Sequence, residues 1–244
     1  MIGVIGGMGP AATADFLAKV IEETPAVEDA DHVPLLISCD PRIPGRPAAI
    51  LQGGESPLPA LRAIRDRLLN AGATALVMPC NTAHHWYREL AGDCPVPFLS
   101  IVEAGCEAAR RVTPAGATVG IAATRATLAA RLFDAPLARR GLSATLPSED
   151  ELERWLLPAI AAVKAGQHSI AGGLLEALLN GFAERGTTHV LLACTELPIA
   201  LAASGAPPGS ECIDSTRALA RMTVAFWRAR CEASDTERSV GSTA

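Results

Sequence analysis

Two cysteines occupy matching places in a repeated segment. NAGATALVMPCNT and ERGTTHVLLACTE follow one plan: a helix end, a glycine that stops it, a short apolar strand, a cysteine and then polar residues. Cys80 stands eight residues after Gly72, and Cys194 eight after Gly186. Each cysteine therefore falls at the carboxyl end of a strand, where a parallel sheet faces its helix N-termini and opens a ligand crevice. A thiol in that place meets the positive end of a helix dipole and free N–H groups, which stabilise the thiolate and make it a better base or nucleophile. If the halves face each other across a pseudo-twofold axis, the thiols line opposite walls of one cleft. That arrangement suits a reaction with two faces. A free cysteine is more often a buried core residue, and this is the reading for Cys39, Cys94, Cys106, Cys212 and Cys231. For Cys80 and Cys194 the polar followers Asn81, Thr82, Thr195 and Glu196, which packing does not call for, favour a site.

The elements that must position these thiols are those of an α/β chain. Runs rich in Val, Ile and Leu alternate with amphipathic stretches of helical length, as expected of strands buried on both faces and joined by crossover helices. The clearest strands are 2–5, 33–38, 75–78, 98–101, 118–122 and 189–193. IGVIGGMG and VGIAATRA each open a half with a strand leading into small residues and a helix, so the expected fold is two similar domains with parallel sheets. A first domain covers 1–113, joined by a C-terminal helix over 215–231, and a second covers 114–214. The polar stretch 232–244 reads as a disordered tail.

Composition narrows the function. The 244 residues carry 21 Lys plus Arg against 26 Asp plus Glu, a net charge of −5, with 49% apolar and 19% charged residues, so the chain is a folded protein. Nine aromatics and a negative balance supply neither a phosphate track nor stacking platforms, which argues against a nucleic-acid partner. An acidic membrane surface would repel it, and the uncharged stretch 197–210 is too short and proline-rich to span a bilayer. Seven cysteines without CxxC spacing argue against a disulfide framework or zinc ribbon, and point to a reducing cytoplasmic compartment.

From Met1 to about Asp214 the chain resembles the cofactor-independent aspartate/glutamate racemases, the aspartate racemase branch most. The resemblance rests on GGMGPAAT (6–13), IPGR (43–46), GGESPLPAL (53–61), MPCNTAH (78–84), VKAG (163–166) and CTELP (194–198). It implies an active site between two α/β domains, Cys80 and Cys194 as paired catalytic residues, a small-molecule amino acid substrate and a homodimer. It also implies that Arg46 and Lys164 bind substrate carboxylates. Two departures from the family pattern, Gly45 and the Cys39-Asp40 pair, lie near Arg46 and bear on the choice between aspartate and glutamate.

Chemistry agrees with this reading. Racemising an amino acid means removing a weakly acidic α-proton and returning one from the other face, so one group must be a base while its partner is an acid. No cofactor is expected: a pyridoxal phosphate enzyme needs a Schiff-base lysine, and only Lys19, read as a solvated helix residue, and Lys164 are present. Arg46 lies in a loop stiffened by Pro41, Pro44 and Pro47, where a guanidinium is either a surface charge or a bidentate anion clamp; the resemblance favours the clamp, whereas Arg42 reads as a surface charge. Met8 and Gly9, in a small-residue turn that admits a carboxylate, and Thr13, Asn81, Thr82, Thr124 and Thr195 complete the candidate binding set, though each threonine also fits a helix cap. His84, four residues past Cys80, reads as a residue orienting that loop rather than as a metal ligand, and His85 as peripheral. The glycines of 7–12 also fit a G-x-G-x-x-A dinucleotide turn, but the next strand-end acid, Asp40, lies too far along. The remaining alternatives are a glutamate or broad-specificity racemase, a single-cysteine decarboxylase or isomerase, a nicotinamide oxidoreductase and an amino acid sensor.

Overall fold

A computed structural model of the chain describes residues 1–204 and 210–241. Eight strands are present: β1 (Ile2–Gly6), β2 (Leu35–Cys39), β3 (Ala75–Val77), β4 (Phe98–Leu99), β5 (Thr118–Ala122), β6 (Ser143–Thr145), β7 (His189–Leu192) and β8 (Glu211–Asp214). They form two four-stranded sheets of the same topology, β2-β1-β3-β4 and β6-β5-β7-β8, in which every pairing is parallel. Cys80 and Cys194 thus follow equivalent central strands, β3 and β7. The turns that start those strands are equivalent as well, since Gly72 (φ 91°) and Gly186 (φ 79°) both take the left-handed conformation that ends a helix. Strands β6 and β8, which the hydrophobic pattern does not reveal, are short edge strands with mixed sequences, SAT and ECID.

Helices cover both faces of each sheet. One apolar cluster is shared between the halves, joining Val4 and Phe16 to Ile121, Leu191 and Leu219. Two others lie outside it: Ile5, Leu61, Ile64 and Leu76 in the first half, and Leu156, Leu175, Leu179 and Phe182 in the second. The shared core makes the pair of sheets one packed unit rather than two beads. The last helix, Ser215–Gly241, returns from the second sheet and packs on Pro10–Glu23 and Ile101–Val112.

Three sequence expectations are corrected. The last helix does not end at 231: it runs to Gly241 through the stretch expected to be disordered, and 242–244 fall outside the described residues. Glu232 to Gly241 (EASDTERSVG) contains no proline, so nothing in its backbone chemistry halts a helix already nucleated and packed. Lys19 is not solvated but buried, paired with Asp15 at 2.5 Å and with Asp214 at 2.7 Å. The second partner lies 195 positions away, where no local pattern shows it. Cys39 and Cys231 are exposed rather than core fillers, while Cys106 is buried as expected. Among the described residues no helix is long and apolar enough to cross a membrane.

Candidate active site

The loops after the strands converge where the halves meet. Thr82 follows β3 in the first half; its Oγ1 lies 3.1 Å from Thr124 Oγ1 and 2.8 Å from Thr127 Oγ1, both in the second half after β5. Thr124 and Thr127 are 3.0 Å apart, closing a triangle of hydroxyls, and Thr124 also caps its helix by accepting from the Thr127 N–H. Each hydroxyl can rotate its proton toward an arriving anion. Thr127 is absent from the residues that the sequence singles out, although the T-x-x-T spacing of a helix start was readable. On the other wall, a side chain added at Gly9 would come 3.6 Å from Glu196 Oε1, so the turn after β1 faces the loop after β7. The first half therefore brings the Cys80 loop to the cleft, and the second brings the Cys194 loop.

Both thiols are nearly enclosed, 5% exposed at Cys80 and 6% at Cys194. The Cys194 thiol donates to Glu196 Oε2 at 3.0 Å. Burial pushes this thiol well above the ordinary range, and the Glu196 carboxylate pushes it further, while Lys164 is close enough for its charge to act in the opposite sense. Cys194 accordingly rests as a thiol whose proton already points at a carboxylate. The sequence presents Glu196 only as a polar follower of Cys194; its hydrogen bond to the thiol makes it a further candidate site residue. The sign of its effect gives a prediction. Glu196→Gln removes the repulsion on the thiolate, so the alkaline limb of the pH–rate profile, where the thiol proton is lost, should shift to lower pH. An unmoved limb would take Glu196 out of contact with the reacting thiol.

His84 fixes the loop on the Cys80 side. Its Nε2 accepts from the Ile101 N–H at 3.2 Å, which obliges Nδ1 to carry the proton and donate to Cys80 O at 2.9 Å. Both ring nitrogens are therefore bound to backbone, as a loop-orienting role requires, and neither is open to a metal. Burial lowers His84 to about 4. The unfolded chain takes up this proton first, so the stability His84 contributes is complete above about pH 6.5 and lost as pH falls through 4, roughly 3 kcal/mol in all. Urea unfolding should show the wild type losing about that much more stability than His84→Asn between pH 7 and 4.

Arg46 begins the helix Arg46–Gln52, which packs against the turn Thr82–Trp86 and the helix Arg125–Ala129. Its Nη1 donates to Ile43 O and Pro44 O, both at 3.3 Å, while Nε is buried with no partner among the described residues. The loop thus holds one corner of the guanidinium and leaves a donor for an anion. Lys164 ends the helix Leu157–Lys164 and is exposed, and Gly166 (φ 74°) closes that helix. By contrast Arg42 is exposed and pairs with Asp40 at 2.9 Å.

The turn after β1 is shaped by its own contacts. Thr13 Oγ1 accepts from the Gly7 N–H at 2.9 Å and donates to Gly9 O at 3.1 Å, so its proton is committed to the turn. Gly7 (φ 92°) lies where a side chain would strike the Asp40 backbone at 2.4 Å. These contacts account for Gly7 without a bound dinucleotide. Met8 packs in the first-half core, and Thr195, also buried, approaches Glu196 Oε2 at 3.5 Å. A cavity of about 1000 Å³ lies elsewhere, between the helices Pro10–Glu23, Ile101–Val112 and the last helix. Neither Cys80 nor Cys194 lines it, and its cations Lys19, Arg111, Arg217 and Arg221 are all ion-paired.

The family model for Asp/Glu/hydantoin racemases matches residues 5–223. The chain belongs to that family. It is an amino acid racemase by this membership, and its relatives agree. A solved aspartate racemase from Picrophilus torridus is 29% identical, with a TM-score of 0.80 and 93% of each chain covered. A broad-specificity amino-acid racemase of Bacillus subtilis (strain 168) is 28% identical over 242 residues, covering 94% of this chain and 99% of that protein. An aspartate racemase homologue from Pyrococcus horikoshii OT3, at 22% identity and a TM-score of 0.74, shares the fold over 93% of this chain and 98% of its own.

Proposed function

We propose that this racemase inverts an acidic amino acid, aspartate before glutamate, without a cofactor, using Cys80 and Cys194 as the acid–base pair. The observation that carries the reading is the placement of two enclosed thiols at equivalent strand ends, each followed by a loop that reaches the other half. One thiolate takes the α-proton, the electron pair left on carbon is delocalised into the adjacent carboxylate, and the opposite thiol returns a proton to the other face. The cycle ends with the two thiols in exchanged protonation states. Glu196, already accepting from Cys194, is placed to receive the thiol proton when that cysteine must act as base. Arg46 and Lys164 supply positive charge for the two carboxylates, and the hydroxyls of Thr82, Thr124 and Thr127 add donors to one of them.

Aspartate is favoured by the likeness to the Picrophilus torridus enzyme. The Bacillus subtilis relative gives specific ground for a second reading, a wider substrate range. Racemisation rates for each enantiomer of aspartate, glutamate and alanine separate them: the first reading expects the highest kcat/KM on aspartate, and comparable values on all three would establish the second. Activity should survive exhaustive chelation and need no added pyridoxal phosphate. Restoration by a divalent metal after chelation would contradict the cofactor-free mechanism.

A further inference from the structure

Lys19 is a buried charge that the proposed chemistry does not use. It lies in the helix Pro10–Glu23 of the first half, only 6% exposed, and reaches across to Asp214, the last residue of β8 in the second half. The Asp214 carboxylate is divided between two tasks. Its Oδ2 holds the Lys19 ammonium at 2.7 Å, while Oδ1 accepts from the N–H groups of Thr216 at 2.8 Å and Arg217 at 3.0 Å and so caps the last helix. Ser215, directly after Asp214, is 0% exposed. Its hydroxyl donates to Leu192 O at 2.7 Å, two residues before Cys194, and accepts from Nδ2 of Asn81 at 3.1 Å, one residue after Cys80. The turn 214–216 is therefore bonded to both cysteine loops, at the point where the chain leaves the second sheet and returns to pack on first-half helices. Lys19 is the charge that fastens this turn to the first half. Stability alone does not call for it, because apolar packing holds two buried elements together as well as an ion pair does, but an ion pair that shares its carboxylate with a helix cap has one geometry.

We infer that Lys19 is a positioning residue for inversion: through Asp214 and the turn it caps, it fixes the separation of the two cysteine loops so that both thiols face one α-carbon at the same time. The two halves of the reaction differ in what they ask of the fold. Removing the α-proton needs one thiol in place, whereas inversion needs the second thiol already waiting on the opposite face. A small displacement of one loop from the other therefore penalises the second step far more than the first, since a shift of about 1 Å is enough to cost a reacting group most of its rate. A carbanion that finds no acid opposite is reprotonated by the thiol that formed it, with retention. This assignment rests on the two-thiol reading of the site.

The test uses the two carboxylates that share Lys19. Asp214→Asn breaks the pair between the halves while keeping a side-chain oxygen to cap the helix, and Asp15→Asn removes the partner on Lys19's own helix, 2.5 Å away. The full-length wild type, both variants and Lys19→Gln are incubated with enantiopure aspartate in deuterated water. Deuterium at the α-carbon is then compared between the recovered starting enantiomer and the inverted product, with circular dichroism as a fold control. In Asp214→Asn inversion should fall about 10- to 100-fold, and the ratio of exchange with retention to inversion should rise at least about tenfold over the wild type. Lys19→Gln, which keeps donors but no charge, should move the ratio in the same direction by a smaller factor, about threefold or more. Asp15→Asn should keep the wild-type ratio, whereas a merely structural role would make the two aspartate variants alike. A wild-type ratio in Asp214→Asn and Lys19→Gln, equal loss of exchange and inversion in them, or the same shift in Asp15→Asn would overturn the positioning role alone. Early deuterium chiefly in the starting enantiomer with the wild type itself would overturn the two-thiol reading and this assignment together.

Discussion

Cys80→Ser and Cys194→Ser will each lower racemisation by roughly 10³-fold or more, the upper part of the range for removing a general acid or base. Serine is nearly isosteric with cysteine but too weak an acid to supply the oxyanion that a base requires, so both variants should keep their fold and bind ligand with little change. The loss is mutual because inversion needs deprotonation on one face and reprotonation on the other. A variant keeping one thiol should still exchange the α-proton slowly, with retention, on the enantiomer that faces it, and the two variants should prefer opposite enantiomers. Proton NMR of each enantiomer in deuterated buffer, combined with chiral chromatography, reads both effects. Substantial racemisation by either variant would remove the pair as the acid–base couple.

The second large effect belongs to the cations. Arg46→Ala should cost about 2 to 5 kcal/mol in kcat/KM, since it leaves a substrate carboxylate unpaired in a mostly enclosed cleft. Arg46→Lys should recover little of this: the loop already holds Nη1 on Ile43 and Pro44, and a point charge cannot offer the remaining planar edge. Lys164→Ala should fall nearer the lower end, because Lys164 is exposed and its charge is partly screened. Steady-state kinetics with circular dichroism as a fold control checks all three. Near wild-type kcat/KM in Lys164→Ala would take that residue out of the site.

What the sequence showed, it showed through repetition and spacing. The Gly-to-Cys interval recurs in both halves because each half repeats one strand-and-turn unit, and the resulting sheets share one strand order. Cys80 and Cys194 are therefore legible as strand-end residues from the sequence alone. Contacts between distant segments were not legible. Nothing near Lys19 announces Asp214, and nothing near Asn81 announces Ser215, because a fold decides which strand ends become neighbours. Thr127 goes unread in the sequence, and Glu196 is read only as a polar follower, for a different reason. Each lies within three residues of a named candidate, and only its burial and hydrogen bonds separate it from an ordinary polar follower. Thr13 is the reverse case, a candidate whose hydroxyl holds its own turn.

The central claim, that two thiols act on opposite faces of one α-carbon, is met most directly by following hydrogen rather than configuration alone. Enantiopure aspartate is incubated with the wild-type enzyme in deuterated water, without added metal or cofactor, and both enantiomers are analysed for α-deuterium during the first few per cent of conversion. The account predicts deuterium predominantly in the inverted product, with the remaining starting enantiomer still protiated, because the incoming hydron comes from the thiol opposite the one that took the proton. Transfer of the original proton into the inverted product, or early deuterium chiefly in the starting enantiomer, would mean that a single group serves both faces and would contradict the two-thiol mechanism.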